Sequence, residues 1–197
     1  MASTPTAAIV VGGSAGALDA LAIILPVLPA DFAIPIALAL HVMPREPSLL
    51  ADVLGARCAL SVREADDKEP VERGVYLASP DYHLLVEASR CFSLSVDEHV
   101  HFSRPSIDVL FESAAAVYGA TLVGVLLSGA NDDGARGLAR VRAVGGITIV
   151  QDPATALVAT MPESALALGC VDHMLPPAAI GPFLTALHAA ASPRGRA

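Results

Sequence analysis

At 197 residues, with 54% hydrophobic and 4% aromatic side chains, the chain is long enough to bury one core of Ala, Val, Leu and Ile, and its composition excludes a disordered or fibrous polypeptide. Twelve basic against 20 acidic residues give a formal charge of −8, with Lys68 the only lysine, which excludes the basic footprint of a nucleic-acid binder. Three widely separated cysteines (Cys58, Cys91, Cys170) form no CxxC pair, so no zinc or disulfide framework is indicated and reduced thiols of a cytoplasmic protein are expected.

The start, MASTPTA, lacks the charged region of a secretory signal. Residues 20–40 are apolar but hold three prolines and Asp31, too interrupted for a membrane span, so no direct membrane insertion is expected. AIVVG (8–12) and IPIALAL (34–40) are apolar on both faces, as buried parallel strands are, and ALDALAIILPVL between them has helical spacing; together they predict one βαβ unit. LSVRE (60–64) and VYLAS (75–79) predict shorter strands. YHLLVEASRCFSLSV (82–96) predicts a hairpin turning near Glu87 to Arg90. RPSIDVLFESAAAVYG (104–119) predicts a helix with Pro105 near its first turn and Gly119 at its end.

TLVGVLLSG (121–129) predicts another buried strand, followed by the turn ANDDG and the helix GARGLARVRAVGG. ITIVQ (147–151) is the next strand, and PESALALG (162–169) and PPAAIGPFLTALHAAA (176–191) are helices. The expected fold is a doubly wound α/β domain, a mostly parallel sheet flanked by helices with an antiparallel hairpin. A single domain over 1–197 is expected, with short disordered tails at about 1–7 and 192–197.

Sites in an open parallel sheet form beyond the carboxyl ends of the strands. Three such ends carry polar residues: Ser14, His41 and the Asp132-Asp133 turn. A dinucleotide fingerprint, GxGxxG, would have glycine where Ser14 stands and an acid where the second strand ends in His41, so that reading fits poorly. Gly12-Gly13-Ser14-Ala15-Gly16 does match GxSxG, whose small neighbours allow a sharp turn that presents the serine oxygen; an N-cap serine fits the pentapeptide as well. His41 has a use as the base that takes the serine proton, and as a structural histidine otherwise. Asp133 is the candidate for orienting that imidazole, the alternative being an NDDG turn that caps the next helix. His99 and His101 stand on one face of a strand without a third ligand at recognisable spacing, so a solvated loop is expected there. Asp172-His173, at a strand end, competes with His41 as base, while His83 and His188 read as surface or partly buried residues.

Several long segments in order, VVGGSAGA, HVMP, VYLASPDYHLLV, RPSIDVLFESAA, LLSGANDDGARG and QDPATALVATMPESA, resemble the catalytic domain of the chemotaxis protein-glutamate methylesterases, the CheB-type family, over about Ile9 to Leu187. That resemblance implies a Ser-His-Asp triad falling on Ser14, His41 and Asp133, with neither metal nor organic cofactor. It implies hydrolysis of glutamate γ-methyl esters on the helical cytoplasmic domain of chemoreceptor-like proteins, with receptor glutamine deamidation as a further family activity. The family usually has Met-Gly where this chain has Ala130-Asn131; Ala130 supplies the same N–H, which with that of Ala15 is the candidate oxyanion hole, and Asn131 tolerates the positive φ of a glycine. Ala17 also replaces a glycine common in the family's serine loop.

Arg45 and Arg136 follow His41 and Asp133 by about one helical turn and are expected at the site rim, facing acidic residues of the receptor; solvated helix arginines are the plain alternative. The family's best-known members carry an N-terminal receiver domain, whereas seven or eight residues precede the first strand here, so control by a separate receiver or regulatory protein is an expectation. The rivals are an esterase of the same chemistry acting on another substrate, a catalytically weakened signalling module, and a nucleotide-binding domain.

Overall fold

The computed structural model describes residues 5–41 and 49–191. The chain runs β1 (Ala8–Gly13), α1 (Ala17–Ile24), β2 (Ile36–Leu40), α2 (Leu50–Gly55), β3 (Val62–Glu64) and β4 (Val75–Leu77). It continues through β5 (His83–Val86), β6 (Phe92–Ser95), α3 (Ile107–Tyr118), β7 (Leu122–Leu126), α4 (Ala135–Ala143) and β8 (Ile147–Gln151). It closes with α5 (Thr160–Ala167), β9 (His173–Leu175) and α6 (Pro177–Ala191). Among the described residues seven strands form one parallel sheet in the order β3-β4-β2-β1-β7-β8-β9, and β5 and β6 pair antiparallel as a separate hairpin. This is the expected doubly wound architecture, with β1 at its centre and the winding running outward to either side.

Burial on both faces explains the unbroken apolar runs. In β1, Val10 faces a core that holds Leu110, Phe111, Leu138 and Met161, while Ile9 and Val11 face one that holds Leu21, Ile24, Ile180 and Leu184. Thus α3, α4 and α5 cover one face of the sheet, and α1 and α6 the other. Each fully buried Leu, Ile or Phe contributes about 1.5–3 kcal/mol of hydrophobic stabilisation.

Three elements differ from the sequence reading. The first helix stops at Ile24, and Leu25–Val27 tighten into a 3-10 turn at Pro26, whose missing N–H cannot extend an α-helix. The helix α2 has six residues, too few for a periodic pattern to show. His173 opens β9 and pairs with Ile149, so it lies at the amino end of its strand, opposite the edge where sites form, and its ring packs on Phe183.

Close approach of α4 to α3 rests on Gly137. A Cβ there would lie 2.6 Å from the Phe111 Cβ and 3.1 Å from the Asp108 Cα. Alanine would gain up to about 1 kcal/mol of helix propensity but overpack a contact with the Phe111 Cβ and the Asp108 Cα, atoms held close to the α3 axis, at about 1–3 kcal/mol. Gly137→Ala is therefore expected to lower stability by about 1–2 kcal/mol in urea unfolding; a variant more stable than wild type would contradict this packing.

Candidate active site

Register alone brings two candidate residues side by side. β1 and β2 pair in parallel with Gly13 opposite Leu40, and the His41 N–H donates to the Gly13 carbonyl at 3.0 Å, so the next residues along the two strands, Ser14 and His41, are lateral neighbours at the carboxyl edge. On its other side the Ser14 N–H donates to the Ser128 carbonyl at 2.9 Å. Ser128, wholly buried, also places its hydroxyl 2.7 Å from the Ala15 carbonyl and accepts the Val158 N–H at 2.9 Å. Its own N–H donates to Gln151 Oε1. The serine loop is thereby strapped to the end of β7 through two successive residues, Ser14 and Ala15. Gly16 turns the chain into α1 with φ +83°, where a side chain would collide with Leu157. Gly129 leaves room beside Ser14: a Cβ there would lie 3.1 Å from the Ser14 Cβ and 2.5 Å from the Met161 Cε.

Asp133 is fully buried and saturated with donors. His41 Nε2–H donates to Oδ2 at 2.8 Å and the Ile107 N–H to the same oxygen at 2.7 Å. The Ser106 hydroxyl donates to Oδ1 at 2.9 Å and the Asp108 N–H at 3.0 Å. Three of these four donors are consecutive residues at the start of α3, where N–H groups are unused by the helix and favour negative charge. Burial by itself raises the Asp133 carboxyl, but the hydrogen bonds from His41, Asp108 and Ile107 outweigh it and hold the group below the usual carboxylate range. With Nε2 engaged, the imidazole presents Nδ1 as its second nitrogen.

A second acid supports the first. Asp108 Oδ1 accepts the N–H groups of Gly134 and Gly137, pinning the start of α4 just beyond Asp133. Burial pushes its carboxyl up against the pull of the Gly137 N–H, and the nearby Asp133 charge adds to the rise. Its Oδ2 is buried without a hydrogen-bond partner, and His101 Nε2 lies 3.5 Å away. His83, read from sequence as surface or partly buried, is buried: its Nδ1 accepts the Ser106 N–H at 3.1 Å and its Nε2–H donates to the Glu98 carbonyl. No sequence pattern marked Ser106, Asp108, His83 or Ser128 as site residues; Pro105, expected near the first turn of α3, stands just before it, and Ser106 is the N-cap, its Oγ accepting the Val109 N–H.

The remaining expectations divide. Among the described residues neither the Ala15 nor the Ala130 N–H donates a hydrogen bond, and both residues are exposed. Asn131 does not take a positive φ; its Oδ1 accepts the Asp133 N–H instead, and the left-handed residue of the turn is Gly134, at +92°. Arg136 is exposed, 3.7 Å from Glu112, in a surface pair of the kind that adds little stability. Arg45 lies outside the described residues. His99 and His101 go to different acids, His99 to Asp81 and His101 to Asp108 and Asp132, so the two do not converge on one ion. His101, Asp108 and Asp133 do group within 4.8 Å, but all four hydrogen bonds to Asp133 already occupy its oxygens. No described helix is long and apolar enough to cross a membrane.

The family profile described as CheB methylesterase matches residues 9–184. The chain is similar to a Leptospira interrogans protein provisionally named protein-glutamate methylesterase/protein-glutamine glutaminase, at 48% identity over 169 residues, 85% of this chain and 88% of the relative. It is also similar to the Symbiobacterium thermophilum protein-glutamate methylesterase/protein-glutamine glutaminase, at 39% identity over 182 residues. That match takes in 92% of this chain but 50% of the relative, so the chain spans about half that relative's length. The crystal structure of the Thermotoga maritima CheB methylesterase catalytic domain superposes with a TM-score of 0.89 at 34% identity, covering 93% of this chain and all of that one.

Each Asp133 oxygen accepts from a backbone N–H, so asparagine in either orientation would set its NH2 against one of them. Asp133→Asn is expected to cost about 2–4 kcal/mol of stability near pH 7. Because the folded pKa is lowered, wild-type stabilisation by this carboxylate is complete above the ordinary aspartate value near 4 and is lost as pH falls through the folded one. The difference between wild type and variant should therefore narrow below about pH 4 in thermal unfolding; a gap independent of pH between 2 and 7 would contradict it.

Proposed function

The chain belongs to the CheB methylesterase family of carboxylic ester hydrolases, and from that premise we propose that it hydrolyses glutamate γ-methyl esters on the helical cytoplasmic domain of chemoreceptor-like proteins, with Ser14 as nucleophile, His41 as base and Asp133 as its orienting acid. The observation that carries this reading is the buried His41–Asp133 pair at 2.8 Å, set by strand register beside Ser14.

In this mechanism the Ser14 oxygen attacks the γ-carbonyl carbon and His41 Nδ1 takes its proton. The imidazolium that forms is balanced by the Asp133 charge. As the tetrahedral intermediate collapses, the C–O bond to the methoxy group breaks and His41 returns the proton, releasing methanol. Water then attacks the acyl-serine with His41 again as base, giving glutamate and the free serine. The unspent N–H groups of Ala15 and Ala130 are the oxyanion donors, each such donor contributing about 3 kcal/mol to the transition state. With a glutamine side chain the same steps release ammonia, the second activity in the relatives' names. Arg136 is a rim cation suited to acidic residues of the receptor.

Wild type should release methanol from a methylated chemoreceptor cytoplasmic domain, and Ser14→Ala should cut the rate by about 1,000-fold or more. Turnover of p-nitrophenyl acetate with no release of methanol from the methylated receptor would refute the substrate assignment. Equal rates for Ser14→Ala and wild type would refute the nucleophile.

A further inference from the structure

Between the hairpin β5–β6 and α3, a turn projects beside the catalytic aspartate loop. Val100 and Ser103 exchange backbone hydrogen bonds of 3.2 and 2.9 Å, leaving His101 and Phe102 as the two residues of a tight loop. Both have positive φ, +49° and +61°. That pattern is normally filled by Asn-Gly, and a bulky residue there is strained. Of the five phenylalanines, Phe32, Phe92 and Phe111 are fully buried and Phe183 packs against the core, whereas Phe102 is 100% exposed. An aromatic ring in a strained turn with no intramolecular contact to justify it has a use only outside the fold.

Its anchorage ties the turn to the site. His101 Nδ1 lies 3.2 Å from Asp132 Oδ1 and its Nε2 3.5 Å from the otherwise unpartnered Asp108 Oδ2, so the tip rests on the residue next to Asp133 and on the acid that pins Gly134. Across the site, Leu157 is 73% exposed and abuts Gly16, two residues from Ser14. It lines a cleft with Gly16, Asp19 and Gln151. The loops that carry the nucleophile and the orienting acid are thus each flanked by a neighbouring loop with one exposed apolar side chain, Leu157 beside the first and Phe102 beside the second. A substrate whose ester is carried on a polypeptide must present that ester between these loops, and the flanking residues of the polypeptide are what two such side chains would meet.

We propose that Phe102, held out on the His101-anchored turn, is a substrate-docking residue that packs on an apolar side chain of the esterified polypeptide, with Leu157 as the facing contact. This rests on the proposed methylesterase activity and specifies how the protein substrate is recognised. An aromatic ring buried on docking contributes about tenfold or more to affinity.

The test compares wild type, Phe102→Ala and Phe102→Leu on a methylated chemoreceptor cytoplasmic domain (methanol release) and on p-nitrophenyl acetate. Phe102→Ala is expected to raise KM for the methylated domain about tenfold with kcat within about twofold. The ratio of kcat/KM on the protein to that on the small ester should fall by the same factor, and Phe102→Leu should recover a large part of it. A KM for the methylated domain within twofold of wild type, or equal losses on both substrates, would overturn the proposal. So would a Phe102→Ala variant that self-associates more weakly than wild type at unchanged KM, which would make the occupant a second copy of this chain. If wild type itself turns over only the small ester, the methylesterase reading fails and the docking role falls with it; failure of Phe102→Ala alone leaves that reading standing.

Discussion

A buried carboxylate with four donors organises this site. Taking a charged Asp133 out of water costs several kcal/mol, and the cost is offset only because two backbone N–H groups, a hydroxyl and an imidazole converge on its two oxygens. Those donors come from places distant in sequence, so the carboxylate links the end of β2, the start of α3 and the entry to α4. With its acceptor directions filled, the carboxylate is suited to act as a fixed negative charge and is poorly placed to take up the imidazole proton.

Support for Ser14 is built differently. Where the aspartate is held by charge-assisted bonds, the serine loop is held by neutral ones, through the Ser128 carbonyl and hydroxyl at the end of the neighbouring strand. Both arrangements use the same property of a parallel sheet: successive strands end at one edge, so residues far apart along the chain meet without any long loop having to be ordered. The His83 ring and the Asp108 carboxylate stand one layer behind, the first fixing the Ser106 backbone beside the donors to Asp133 and the second the start of α4 just beyond Asp133.

Much of this was legible in the sequence, for identifiable reasons. The strands β1, β2, β7 and β8 are buried on both faces and so read as unbroken apolar runs, and each of three strand ends showed a polar residue of the right type. The hairpin β5–β6 followed from two strand runs joined near Glu87 to Arg90. What stayed hidden depends on tertiary approach. Asp108 reads as an ordinary first-turn acid of a helix and Ser128 as a small residue near the end of a strand; only folding reveals that one pins α4 and the other straps the serine loop. His101 read as a member of a solvated loop because the acids it meets, Asp108 and Asp132, come from elements further along the chain. The left-handed backbone expected at Asn131 moved to Gly134, since the Asn131 side chain closes its own turn onto the Asp133 N–H.

The glycines around Ser14 also mean something other than a phosphate loop. A Cβ on Gly12 would lie 2.1 Å from the Ile107 Cγ2, and one on Gly134 would lie 2.6 Å from that same methyl. One isoleucine therefore sits between the strand that leads to Ser14 and the turn that carries Asp133, touching both where neither has a side chain. It works as a spacer, setting the gap between the two halves of the site by the width of its methyl groups. The first glycine of the GxSxG pattern thus answers to a helix nearly a hundred residues away, and positions 12, 107 and 134 form one dimensional tolerance in which a change at any of them has to be matched at the others.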